Sequence, residues 1–291
     1  MTLRILRNLA IFIAIVGLAK AQISVRLDLT STQYLTGEPV IAQVAITNNS
    51  GRELNFSGST RLPWIDFIVK KGDGSLVVSP QKPAFGAMTI PVGQTMARKF
   101  SLSSFYYLSQ QGNYSVTAIV RMPGNEESEV PSNRRIFNLS PGRPYITPVK
   151  VGVPGKPNET REYRVMSFTP KNHQMIYVQV VDGKTGIPMR TFPLGEILSV
   201  RKPQISVDRN LQLHVLYLEN ASIWDHCIIN SDGQIVDRKY HNRSAQGDPS
   251  LYTSPDGVVS VANSTPYDPV AVAEAKSKIH KASDRPSFIY Q

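Results

Sequence analysis

Cysteine is nearly absent: the 291 residues contain one, Cys227. A lone cysteine excludes an intrachain disulfide framework and a zinc site built from several thiolates. Long apolar runs are scarce as well. Beyond the N-terminal leader, no stretch reaches the ~18 uninterrupted apolar residues of a membrane helix. Charged residues make up 19% and hydrophobic residues 41%, a balance that excludes wholesale disorder and a collagen-like chain. There is no G-x-S-x-G, no H-E-x-x-H, no phosphate-binding G-x-x-x-x-G-K-[ST] and no dinucleotide-binding glycine pattern. The sequence therefore points to no catalytic residue, no metal site and no cofactor, and the protein reads as a non-enzyme.

What is present begins with a leader. Arg4 and Arg7 precede an apolar run, Leu9 to Leu18, and Ala19 and Ala21 form an A-x-A cleavage site before Gln22. Residues 1–21 read as a signal peptide, which implies a periplasmic or secreted protein with no stable membrane span after cleavage. A secreted animal protein of this size would usually carry several disulfides, so a bacterial periplasm is favoured. Loss of Arg4, Arg7 and Lys20 lowers the net charge from +10 to +7. The positive charges are scattered, without a basic helix or aromatic-interleaved motif, so no nucleic acid is expected as partner. Anionic envelope polymers would be attracted weakly and in a salt-dependent way.

Residues 22–141 alternate short runs rich in Val, Ile, Thr, Tyr and Phe with Gly, Pro, Asn and Ser clusters, an all-β pattern. Strands are predicted at Ile23–Thr30, Pro39–Asn48, Leu54–Phe56, Ile65–Lys70, Ser75–Val78, Thr95–Phe100, Tyr114–Arg121 and Asn133–Leu139. Seven or eight strands in this length make a β-sandwich. Tyr34-Leu35-Thr36-Gly37-Glu38-Pro39-Val40, followed by a strand and Asn48-Asn49-Ser50, resembles the opening of extracytoplasmic immunoglobulin-like modules. Phe67 to Gly74 resembles the hairpin of BsuPI-like proteinase inhibitors and macroglobulin-type domains, and Gly112-Asn113-Tyr114-Ser115-Val116 resembles a tyrosine corner. Turn and corner chemistry of this kind implies a fold without fixing a function.

Five prolines in 17 residues, from Pro141 to Pro157, predict a semi-stiff linker or edge segment, placed at 142–159. In residues 160–268 an apolar run, a polar turn and a second apolar run recur three times, with spacings of 39 and 46 residues when anchored on Phe168, Val207 and Thr253. Outer hairpins are marked by Asp182-Gly183 and Ser231-Asp232-Gly233. Gln204 to Val215 resembles the inner strands of sialidase-like propellers, and Ser254-Pro255-Asp256-Gly257-Val258 resembles their blade turns. The copies amount to about two and a half blades, whereas closed propellers have ~4 or more. The module is thus an open set of antiparallel meanders or a partial ring completed by a second copy. A short helix is expected at 269–281, within a C-terminal helix and tail spanning 269–291, and Phe288-Ile289-Tyr290 is apolar for a terminus.

Candidate binding residues are Phe85 and Met88, on an irregular loop from Pro80 to Gly93, together with Trp64, His214 and Tyr217. The loop reads either as an apolar binding tip or as a connection tucked under the sandwich. Trp64 fills a core more often than a ligand site. His214 and Tyr217 fall on opposite faces of one strand, where one could line a channel. Asp225-His226-Cys227 is the densest reactive cluster, but neighbours on a strand point to opposite faces, so His226 cannot share a site with both. The resulting expectation is an exported, non-enzymatic binding protein of the bacterial envelope with a protein or carbohydrate partner. The alternatives are a proteinase inhibitor, implied by the BsuPI-like resemblance, and a glycan-binding or glycan-active protein whose propeller is completed by oligomerisation.

Overall fold

A computed structural model describes residues 22–59, 61–80 and 85–282. The leader, loop residues 81–84 and the apolar C-terminus lie outside the described residues. The described residues are nearly all β, with one short C-terminal helix, and the chain divides into two compact units. One contains residues up to Tyr34 and Pro39–Ser140; the other contains Leu35–Glu38 and the chain from Pro141 onward.

In the first unit the strands are β1 (Ile23–Leu29), β2 (Gln33–Leu35), β3 (Ile41–Asn48), β4 (Leu54–Phe56), β5 (Ile65–Lys71), β6 (Met88–Ile90), β7 (Thr95–Ser101), β8 (Gly112–Met122), β9 (Asn125–Pro131) and β10 (Arg135–Ser140). One sheet has the order β1-β3-β7, a second β2-β10-β8-β5, with β9 also on β8, and β4 pairs with β6 in a small two-stranded sheet. Alternation decides which face is inward: Ala42, Val44 and Ile46 on β3 are buried while their neighbours are not. They share one core with Phe67 and Val69 of β5 and with Val116, Ala118 and Val120 of β8, so the sheets pack as a sandwich. Tyr114 closes the corner, its hydroxyl donating to the Gln110 carbonyl at 2.8 Å. Ser75–Val78 was expected as a strand; it forms a single bridge, Lys70 to Leu76, because Asp73 and Ser75 hold the chain in a turn.

The second unit contains β11 (Arg143–Pro144), β12 (Val149–Val153), β13 (Lys156–Phe168), β14 (Met175–Asp182), β15 (Pro188–Glu196), β16 (Gln204–Val207), β17 (Leu213–Leu218), β18 (Ile223–Ile229), β19 (Ile235–Arg243), β20 (Ser250–Thr253), β21 (Val259–Ala262), β22 (Ser264–Tyr267) and a helix, α1 (Pro269–Ala282). Of the two readings of the proline-rich segment, linker or edge segment, the structure shows strand at a sheet's edge. Pro148 and Pro154 bracket β12, which pairs with β13 through Val149–Tyr163 and Val151–Arg161. Lacking an N–H, proline is tolerated at a strand's ends and at a sheet's edge. Its density therefore marked the outer strand of a sheet.

The three recurring hairpins are present as β13–β14, β16–β17 and β20–β21. The first two extend into antiparallel meanders, β11-β13-β14-β15 and β16-β17-β18-β19-β22, whereas β20–β21 is a separate two-stranded sheet. Tyr163, Val165, Ile176 and Val178 of the first meander share a core with Leu213, Val215, Tyr217, Cys227 and Ile229 of the second. Asp268 starts α1 by accepting from the Val270 and Ala271 amides, with Pro269 as its first residue.

Candidate functional site

The strand pair β17–β18 carries chemistry on both faces. Leu213, Val215 and Tyr217 stand opposite Ile229, Cys227 and Asp225, and Leu218, Leu216 and His214 stand opposite Trp224, His226 and Ile228. Directly opposed residues of an antiparallel pair share a face, so Asp225 and Cys227 go to one side and His226 to the other, as alternation requires.

On the first face Asp225 is fully buried. The Tyr217 hydroxyl donates to its carboxylate at 2.5 Å, the Cys227 thiol lies 3.4 Å away, and Arg238 contributes Nε bonds at 3.0 and 3.2 Å and a further one from Nη2. The same Nη2 donates to the Leu194 carbonyl at 2.7 Å, joining the second meander to β15 of the first. Next to Leu194, Gly195 makes room: a Cβ there would stand 2.6 Å from the Tyr217 hydroxyl. Burial, reinforced by the Asp225 charge, pushes both the Tyr217 phenol and the Cys227 thiol well above their usual values. Cys227 is thus a neutral thiol, and a nucleophile needs the thiolate. The group is a charged clamp between meanders.

On the opposite face three histidines form a row. His214 Nδ1 and His226 Nε2 share a hydrogen bond at 3.1 Å, with their rings stacked 5.2 Å apart. The His226 and His241 rings are 6.0 Å apart, and His241 Nδ1 lies 3.1 Å from the Ser264 hydroxyl. All three are buried, and each pKa is depressed chiefly by burial; that of His226 falls to about 4, helped by its two histidine neighbours. Among the described residues no group of three or more His, Cys, Asp or Glu is placed to hold a metal ion.

At the end of this sheet lies a cavity of about 780 Å³, lined by Arg201, Trp224, Asn242, Arg243, Asp248 and Tyr267 among others. Asp248 sits between the two guanidiniums, 3.0 Å from Arg201 Nη2 and 2.7 Å from Arg243 Nε. Two cations share one carboxylate, leaving the cluster net positive, and both arginines are more than half exposed, at 59% and 67%.

The candidate residues fall apart in space. Trp64 is buried, donates from Nε1 to the Gly86 carbonyl and packs on Phe56 and Phe100. Phe85 meets Phe100, Phe105 and Phe67 edge-on, and Met88 packs on the same core. Phe85 and Met88 thus pack on the sandwich core, which is the tucked arrangement for these two residues. His214 and Tyr217 do face opposite ways, and both are buried, at 3% and 0% exposure. No sequence pattern brings Arg238, Arg201 and Arg243 out as site residues. Arg238 lies directly opposite Cys227, a pairing that passes through a bulge at Ile228/Ile229 and so has no signal in the spacing.

Fold and site together define a class: an all-β protein with a sandwich unit, a meander unit and a basic cavity. No protein-family model and no curated protein sequence matches the chain. Among solved structures, the sporulation control protein Spo0M from Bacillus subtilis is similar over 60% of this chain and 91% of its own, with 10% identity and a TM-score of 0.28. A likeness at that level carries no argument.

Proposed function

We propose that the protein is an exported, non-catalytic binding protein of the bacterial cell envelope, and that the cavity of the second unit takes the acidic group of an envelope carbohydrate. The observation that carries this reading is the Arg201–Asp248–Arg243 cluster on the wall of a cavity of about 780 Å³, within the ~300–1,000 Å³ range of small-molecule sites. A carboxylate or sulfate entering there would replace Asp248 as partner of one guanidinium, with bidentate geometry available. Asn242 and Ser222 add hydroxyl-directed polar groups, and Leu218 and Ile223 supply apolar wall. A concave polar site suits a saccharide better than a flat protein epitope does. The leader supports export.

The test is calorimetric titration of the full chain with trigalacturonate and with neutral maltotriose, at low and high salt. Saturable binding of the acidic trisaccharide, weakened by salt and lost in an Arg201→Ala, Arg243→Ala double variant, is expected. Equal binding of both sugars, or binding indifferent to the double variant, would overturn the reading.

A further inference from the structure

The three-histidine row lies on the face of the second meander that carries the hairpin β20–β21. The hairpin packs there through Leu251 and Val261 on Leu216, Leu218 and Trp224. Register puts Leu216 opposite His226 and Trp224 opposite His241, so the histidines belong to the same face. Three polar links reinforce the seat. Ser206, directly opposite His214, bonds Thr253 at 3.0 Å; the Gln204 side chain bridges the Leu251 amide and the Pro249 carbonyl; and the Arg209 amide donates to the Gly257 carbonyl at 2.8 Å. This attachment is far smaller than the core joining the two meanders.

The row is poorly provided for any added charge. His214 Nε2 and His241 Nε2 are buried without a hydrogen-bond partner. Asp208 Oδ2 stands 3.5 Å from His214 Nε2. On β19, Asp237 faces His226 but is itself paired with Lys239 at 2.8 Å, and Lys239 also faces His241. Asp225, on the other face, is held by Arg238. From β22 comes the neutral Ser264. The hairpin strands, Ser250-Leu251-Tyr252-Thr253 and Val259-Ser260-Val261-Ala262, bring no charged side chain, and Asp256 in their turn is near Arg209 instead. Three protons would therefore meet one carboxylate not paired with an arginine or lysine, that of Asp208, which already accepts from the Asn210 and Gln212 amides.

We infer that the His214–His226–His241 row is an acid-sensitive latch, whose protonation releases hairpin β20–β21 from the second meander while the meanders stay packed. A buried imidazole that takes up a proton in a layer without counter-charge either expels the proton or moves into water. Moving the hairpin is the cheaper route to water, since its seat is a small apolar cluster. The hairpin seat shares Leu218 and Trp224 with the cavity wall, but the latch rests on no particular ligand there.

The test is hydrogen–deuterium exchange of the full chain at pH 7.5 and pH 5.0, with rates corrected for intrinsic exchange. Amides of 250–262 should lose protection by about tenfold or more at pH 5.0, while those of β14 and β17 change little. His226→Phe, which cannot be protonated, should hold the hairpin closed at pH 5.0. If that variant fails to fold, His241→Gln should at least halve the acid response. Unchanged hairpin protection, equal loss in all strands of the unit, or an acid response in the folded variants identical to that of the parent would each overturn the latch.

Discussion

The Tyr217 hydroxyl stands 2.5 Å from the Asp225 carboxylate, across a rung of the β17–β18 ladder where the two residues are directly opposed. With Arg238 alongside, every strong donor of the group points at one buried acid. Removing a partner therefore costs more than a single bond, because the charge stays behind.

Arg238→Met should lower the unfolding free energy by about 2–4 kcal/mol, somewhat less than the ~3–5 kcal/mol of a fully buried broken pair, since the guanidinium is partly exposed and water can enter in its place. Urea denaturation of the full chain measures it. A loss below about 0.5 kcal/mol would mean that water already solvates Asp225 in the native state.

Gly195→Ala should act through the same hydroxyl. A Cβ would stand 2.6 Å from it and push it off Asp225, at a cost of roughly 1–3 kcal/mol. Combined with Tyr217→Phe, the two losses should sum to less than their separate values, because the second substitution removes the atom the first displaces. Strict additivity in a double-mutant cycle would disprove the coupling.

The acid side of the stability curve follows from His226. Its folded-state pKa is about 4, below the usual 6.5, so the unfolded chain takes up the proton first. Stability is fully present above about pH 6.5 and declines as pH falls toward about 4. His226→Phe should flatten this stretch of the curve, read as urea midpoints between pH 7.5 and pH 4.5; an unaltered slope would place the titrating group elsewhere.

Cys227 should resist alkylation by iodoacetamide at pH 7.5 for as long as the chain is folded and react readily in 8 M urea. Its burial denies the reagent access and keeps the sulfur protonated. Rapid labelling of folded protein is the contrary result.

Much of the fold was legible, and for identifiable reasons. Val40, Ala42, Val44 and Ile46 alternate cleanly, so β3 could be drawn from periodicity; the Asp182-Gly183 and Asp232-Gly233 turns fixed the outer hairpins of the two meanders. The parity rule alone already parted His226 from Asp225 and Cys227. What escaped was long-range or edge structure. β12 hid behind its flanking prolines, and β9, Asn-Glu-Glu-Ser-Glu-Val-Pro, has neither apolar alternation nor β-branched bulk. Arg238 reaches Asp225 only through a bulged register, and Arg201 meets Arg243 at Asp248 from a loop, pairings that no local pattern encodes.

Among the described residues β9 pairs with β8 alone. An exposed strand edge is a template on which another chain can zip itself, and a flat apolar edge invites it. Here Glu127 lies along that edge beside Glu129, which is paired with Arg121 at 2.8 Å, and Pro131 ends it, so a second β9 brought alongside would meet charged side chains and a missing donor. The polarity that kept this strand out of any hydrophobic pattern is also what discourages aggregation, and neutralising Glu127 and Glu129 would turn a solubilising border into an adhesive one.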